Sequence, residues 1–265
     1  MKPRVRNIII IIVIAIVVVA AHIVRRNATM RGLECSVVYD GKDDGANLVL
    51  LDANDVDSLV LNAYPSLLAT DIKDVDRKGI QSFLQHHPYV LSANVSMTTG
   101  GKLRIEVEQR MPVVRLFYQD NEYYLSHQGT CMPLSAKHYC HVLVGSTLWE
   151  EPLLKNAWAL NLSDTSMHRK PTSPMKIWVL AKFLHDNPQY GELFDQVVVA
   201  DKGDLVLVPK LGSLTVVVGD TTQLDKKFSN LKSFLNQGID KVGWDTYSSI
   251  SLKYNNQVVC TRKKQ

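Results

Sequence analysis

Catalytic signatures are missing from this sequence. It contains no GxSxG, no GxxxxGK run, no HExxH, no GxGxxG and no CxxC. These absences remove the nucleophile elbow, the phosphate-cradling loop, the helical zinc pair, the dinucleotide turn and the dithiol redox motif. Acids are missing from the first 31 positions, which hold Lys2, Arg4, Arg6, Arg25, Arg26 and Arg31. Positions 32 to 265 then carry 24 basic against 26 acidic side chains, so the net charge of +4 is a property of the N-terminus. The remainder has no basic footprint for a phosphate backbone, and nucleic acid is excluded as a partner. Internal repeats of 20 to 50 residues are also absent, which excludes a solenoid. With 46% hydrophobic and 21% charged residues, 265 positions suffice for one or two packed cores and are too polar for a polytopic membrane protein.

What is present begins with Ile8 to Val24, a run of Ile, Val and Ala broken only by His22. As a helix it rises about 26 Å, the lower limit for crossing a bilayer core of about 30 Å. A cleaved signal peptide is the rival reading, because Val18 and Ala20 make an acceptable cleavage site; Arg25 and Arg26 directly after the run favour an uncleaved anchor. The expected topology puts the basic head, residues 1–7, in the cytoplasm and everything past about Arg31 outside.

Next come patterns for a small α+β layer. Leu33 to Tyr39 reads as a strand, and Asp40 to Asn47 is rich in turn residues. Asp52 or Asn54 is placed to cap a helix ending before Pro65. Asp74 is placed to cap a second, in which Ile80, Phe83, Leu84 and His87 fall at helical spacing before Pro88 stops it. Ala93, Val95 and Met97 alternate with polar residues, Gly100-Gly101 turns the chain, and Leu103, Ile105 and Val107 alternate back as a β-hairpin. Strand, helix, helix and hairpin make one sheet with both helices on a single face.

From residue 112 onward the texture changes to short strands: Val113 to Gln119, Tyr123 to Ser126, His141 to Val144, Val197 to Ala200, Asp204 to Pro209 and Leu214 to Gly219. Pro174 to Asn187 reads as a helix with Ile177, Leu180, Ala181 and Leu184 inward. A last helix, Gln223 to Gln237, carries the stripe Leu224, Phe228, Leu231 and Leu235, a cap at Thr221 or Thr222, and Lys226, Lys227 and Lys232 on its other face. Ser249 to Tyr254, Asn255-Asn256 and Gln257 to Arg262 have the form of a terminal hairpin. A two-residue turn would pair Tyr254 with Gln257 and Leu252 with Val259, facing these four to the core and Ser251, Lys253, Val258 and Cys260 away from it. Residues 145 to 172 follow no pattern.

The one dense group of reactive side chains is Cys131, His138, Cys140 and His141. Its spacing matches no common zinc site, and neighbours on a strand point to opposite faces. Cys131 and Cys140 read as two unlinked thiols or as a disulfide closing a local loop. No metal site and no cofactor is expected.

In sequence the stretch His87-Pro88-Tyr89-Val90, Ala93-Asn94-Val95, Gly101 to Val107 and Gln109 to Arg115 resembles the POTRA domain and following junction of the bacterial cell-division family FtsQ (DivIB), especially its Bacteroidetes versions. Tyr123-Tyr124-Leu125, Gly129 and Met132 to Ser135 resemble the start of that family's β domain, and Leu252-Lys253-Tyr254 with Asn256 to Arg262 its last strands. The resemblance implies an α+β protein: a single transmembrane helix (8–24), a POTRA domain (33–111), and a mainly antiparallel β domain with flanking helices (112–265). It implies a non-enzymatic, single-pass scaffold of the inner membrane with both domains in the periplasm at the division septum. Implied partners are FtsB- and FtsL-like proteins and other divisome membrane proteins, with no small-molecule substrate. The docking edge it implies is Ser251 to Cys260, comprising Ser251, Leu252, Lys253, Tyr254, Gln257, Val258, Val259 and Cys260, with Tyr254 and Lys253 giving selectivity. Arg262, Lys263 and Lys264 would then meet acids on the partner. Two other readings compete. One is a POTRA-containing envelope assembly or transport component, against which the absence of a following β-barrel pattern counts. The other is a zinc-dependent envelope enzyme built on the Cys131 to His141 group.

Overall fold

The computed structural model describes residues 10–20, 29–39, 49–118, 121–147, 172–236 and 246–263. The chain divides into two units, Met1–Lys42 with Leu51–Gln109, and Asp43–Leu50 with Arg110–Gln265. Residues 10–20 are helical and exposed throughout. Among the described residues no helix is long and apolar enough to cross a membrane. The head at 1–7, positions 8, 9 and 21–24 of the expected span, and the turn-rich 40–47 lie outside the described residues.

In the first unit β1 (Leu33–Val38), β2 (Val90–Met97) and β3 (Leu103–Gln109) form a three-stranded sheet in the order β1-β3-β2. The hairpin β2-β3 is antiparallel, and β1 joins β3 in parallel after the chain has passed through both helices. One sheet face is polar, with Arg104 and Glu34 3.3 Å apart, Ser92 donating to Glu108 at 2.7 Å and Asn94 to Glu106 at 3.3 Å. The other face buries Leu103, Ile105 and Val107 beneath α1 (Ala53–Ala63) and α2 (Arg77–Gln85).

Asp52 starts α1 with a reciprocal cap, accepting from Asp55 N–H while the Asp55 carboxylate accepts from Asp52 N–H. Asp76, not Asp74, caps α2 by accepting from Gly79 N–H at 2.9 Å; Asp74 ends a separate 3-10 turn, Ile72–Asp74. The helix therefore begins two residues later than the periodicity suggested. Ile80 and Leu84 are buried, whereas Phe83 is 38% exposed and meets Tyr64 edge-on at 6.0 Å.

In the second unit a nine-stranded sheet runs β12-β11-β10-β9-β8-β7-β4-β5-β6. In chain order its strands are β4 (Pro112–Tyr118), β5 (Asn121–Ser126), β6 (Cys131–Met132), β7 (Leu143–Thr147), β8 (Phe194–Val199), β9 (Leu205–Pro209), β10 (Thr215–Gly219), β11 (Tyr247–Ser251) and β12 (Val259–Arg262). Most pairings are antiparallel, as expected. The sheet is nonetheless mixed, because β4-β7, β7-β8 and β10-β11 are parallel. Parallel neighbours need a crossover, and the helices α3 (Ser173–Asp186) and α4 (Leu224–Phe234) lie in two of those connections. His141 stays outside β7, which starts two residues further on.

Both helices contribute to one core. Ile177, Leu180, Ala181 and Leu184 of α3 and Leu224, Phe228 and Leu231 of α4 join Val114, Leu116, Val197, Leu207, Val216 and Ile250 of the sheet. Phe228 is fully buried at the centre of Phe183, Tyr190 and Phe194, with ring centroids 5.1 to 6.3 Å away. Gly145 lets α3 lie close to β7, since a Cβ there would stand 2.7 Å from Ile177 Cγ2 and 3.2 Å from Val114 Cγ2. The cap of α4 differs from the expectation. Gln223 takes the N-cap position with φ 52, and its side chain makes no capping bond. Thr222 instead donates to Asp220, which also pairs with Lys227 at 2.6 Å.

Candidate docking edge

The last hairpin closes one side of the nine-stranded sheet. On its inner side β11 pairs in parallel with β10, and Leu252 extends that ladder by donating its N–H to Val217 O at 2.8 Å. On its outer side β11 pairs with β12, Ser251 opposite Val259, Ile250 opposite Cys260 and Ser249 opposite Thr261. This register is one residue away from the expected pairing of Leu252 with Val259. A slip of one reverses both faces of a strand, and the exposures follow. Leu252 is 2% exposed and in the core, while Val259 is 41% exposed on the outer face. Val258 and Cys260, expected to face outward, pack against the core instead.

Asn255-Asn256 does make a turn. Gln257 N–H bonds Tyr254 O at 3.4 Å and Asn256 takes φ 58, a conformation asparagine tolerates. The ladder nevertheless stops at Ser251 and Val259, because Leu252 is drawn inward by the core and by β10. A seven-residue connection, 252–258, replaces the tight hairpin, and Tyr254 stands out from it at 54% exposure.

Beyond β12 the sheet has no further strand among the described residues. Lys263 N–H turns inward to Thr246 O at 3.1 Å. Strand alternation therefore turns the main-chain groups of Cys260 and Arg262 toward the open side. The opposite edge of the sheet is the two-residue β6, too short to template a strand. Next to β12 the outer sheet face is uncharged along one transverse row, from Phe117 through Val198 and Val217 to Val259. An open edge is not selective by itself, since β1 and β2 also flank their own sheet.

Of the eight residues expected at the edge, Ser251, Val259 and Cys260 lie in the ladder, Leu252 and Val258 support it from the core side, and Lys253, Tyr254 and Gln257 form the exposed connection. Lys253 is already partnered, its Nζ 2.6 Å from Asp204 Oδ2. The bond to Asp204 holds its ammonium above the ordinary lysine value. Sequence reasoning missed Asp204, which is 49 positions from Lys253 and ends an unremarkable turn.

Cys35, Cys131, Cys140 and Cys260 are all free thiols. Burial pushes Cys131 and Cys140 up to about 12, and Cys140 N–H donates to Tyr124 Oη at 3.1 Å. Among the described residues Cys131, His138, Cys140 and His141 do not bring three donor atoms within reach of one ion.

Comparison with known proteins gives two matches. Residues 111–261 match the family model for FtsQ/DivIB, C-terminal related, and residues 41–108 match a POTRA-like domain. No curated protein matches the chain. The first match takes in more than half of the chain and extends into β12; the second begins after β1, which the structure adds to the sheet of that unit.

Proposed function

Because this chain belongs to the FtsQ/DivIB family, in which cell-division scaffolds are found, we propose that it is a non-enzymatic, membrane-anchored scaffold of the divisome that receives an FtsB-like protein by strand addition at β12. The observation that carries this reading is the match over residues 111–261 reaching the sheet edge, where among the described residues β12 is paired on one side only. An incoming strand would take its affinity from the main-chain groups of Cys260 and Arg262 and its selectivity from Tyr254 and the exposed Val259. Ser251, Leu252, Gln257 and Val258 complete the edge by holding the connection behind it. Exposed Arg262 and Lys263 suit an acidic flank on the partner, with an association that weakens as salt rises.

The anchor is the apolar run Ile8 to Val24, within which the isoleucines and valines of the described helix 10–20 are 49 to 65% exposed. A basic head before it orients the chain with both units in the periplasm at the division septum. FtsL-like and other divisome membrane proteins are the further partners, and no nucleic acid, cofactor or small-molecule substrate enters the role.

The test uses the full chain and the purified FtsB-like protein. Tyr254→Lys is expected to weaken binding at least tenfold with an unchanged circular dichroism spectrum, and Arg262→Pro, which removes a main-chain donor on the open side, to do the same through the edge. Wild-type affinity in both folded variants would refute the assignment.

A further inference from the structure

The side chain of Lys253 lies inside the docking segment but spends its charge on the chain itself. Its ammonium donates to Asp204 Oδ2 at 2.6 Å, and its aliphatic stem crosses Gly219 at the end of β10. Gly219 has φ 79, and a Cβ there would stand 2.7 Å from Lys253 Cγ and 3.5 Å from Cδ, so a bare backbone is what lets the stem pass.

Asp204 is held on a braced turn. Ala200 N–H donates to Asp204 O at 2.8 Å, Gly203 N–H to Ala200 O at 2.9 Å, and Lys176 Nζ, from the first turns of α3, to Gly203 O at 3.1 Å. Lys202 and Gly203 take φ 72 and 79 to make this turn. The Asp204 side chain is only 25% exposed, so without Lys253 a largely sheltered carboxylate would lose its partner.

On either side of Lys253 the chain is also fixed. Leu252 is locked by the core and by its bond to Val217 O, and Tyr254 O closes the turn with Gln257. The exposed ring of Tyr254 thus stands between a clamped residue and a closed turn.

We infer that Asp204, Lys253 and Gly219 form a clamp that fixes the 252–258 connection and aims Tyr254 at the incoming strand. Lys253 is then a positioning residue whose charge is satisfied within the chain and does not read the partner. The inference rests on the docking reading of the β12 edge and gives Lys253, expected from the sequence resemblance to confer selectivity, a positioning role instead.

The experiment compares Asp204→Lys, Lys253→Asp and the double exchange in the full chain. One readout is hydrogen exchange at the Gln257 amide without partner, the other affinity for the purified FtsB-like protein. Each single variant is expected to speed Gln257 exchange about threefold and to weaken binding by at least as much, and the double exchange to restore both to within about twofold of wild type. Restored exchange with binding still impaired would show that the Lys253 charge meets the partner, overturning the clamp. Unchanged exchange in both single variants would overturn it as well. Gly219→Ala, which displaces the stem and leaves both charges in place, is expected to behave like the single variants. A wild-type chain that fails to bind the FtsB-like protein removes the docking reading, and the exchange data then still decide whether the clamp exists.

Discussion

Replacing Leu252 and Val259 one at a time by alanine separates the two possible registers of the last hairpin. Leu252 is 2% exposed and packed with Ile250, Val216 and Val218 in the core. Leucine to alanine removes three carbon groups, a transfer loss of about 2.4 kcal/mol at roughly 0.8 kcal/mol per buried group. The space left behind adds to this, but the site lies near the end of the sheet where neighbours can settle, so a total of about 3 kcal/mol is expected. Val259 is 41% exposed on the outer face, and its alanine variant should cost less than about 1 kcal/mol. The assay is urea unfolding of the full chain followed by circular dichroism, at equal slope for both variants. In the register with Leu252 opposite Val259 both side chains would lie in the core and both substitutions would be severe. Equal losses, or a larger one at Val259, would refute the observed pairing and the docking geometry built on it.

Three further outcomes are expected. Asp220 is held down at about 2, against an ordinary 3.8, chiefly by its bond to Lys227. A depressed carboxylate contributes stability above its unfolded value and loses it as pH falls, so the cost of Asp220→Asn should be present at pH 6 and fade between about pH 4 and pH 2. The full shift corresponds to about 2.4 kcal/mol, but the carboxylate is 65% exposed, and solvent screening reduces the expected loss to below about 1 kcal/mol; a loss independent of pH in urea titrations would contradict the ion pair. Trp178→Phe, which removes the Nε1 donor 3.0 Å from Ser126 O, should cost about 1 to 2 kcal/mol in the same assay, and no loss would remove that bond from the account. Cys131 and Cys140, buried and pushed up to about 12, should react with a thiol reagent at pH 8 only as fast as the unit opens, and rapid labelling without denaturant would contradict their burial.

Local pattern was enough to read the first unit. Alternation in Ala93–Met97 and Leu103–Val107 specifies β2 and β3, Gly100-Gly101 specifies the turn, and Pro65 and Pro88 mark where helices stop. The second unit was legible as elements and less so as a sheet. Nothing local in Leu143–Thr147 says that it will lie in parallel between β4 and β8, because the crossover that permits it is a long-range property. Caps were misplaced where several polar residues competed: Asp74 and Asp76 are equally plausible in composition, and the hydrogen bond to Gly79 decides. At the last hairpin the expected register was wrong by one. Asn255-Asn256 does turn the chain, but the ladder answers to Leu252, which β10 and the core claim first. The ion pair of Lys253 with Asp204 had no trace in sequence, being a contact between strand ends that only the sheet order brings together.

The parallel pairing of β10 with β11 has a consequence for how the protein is made. β11 and β12 follow every other strand of this sheet in the chain, and they can join it only after α4 has carried the chain across its face. Until then β10 is the open edge, presenting Thr215-Val216-Val217-Val218-Gly219, a run of β-branched residues without a charge to discourage mispairing. A chain cut before Tyr247 would keep its core helices and lose the strand that seals this run, so its expected fate is aggregation. Removal of β12 alone leaves β11 in place to cover the valines. On the proposed docking reading, competence to bind a partner arrives together with the closure of a self-adhesive edge, after this unit has folded.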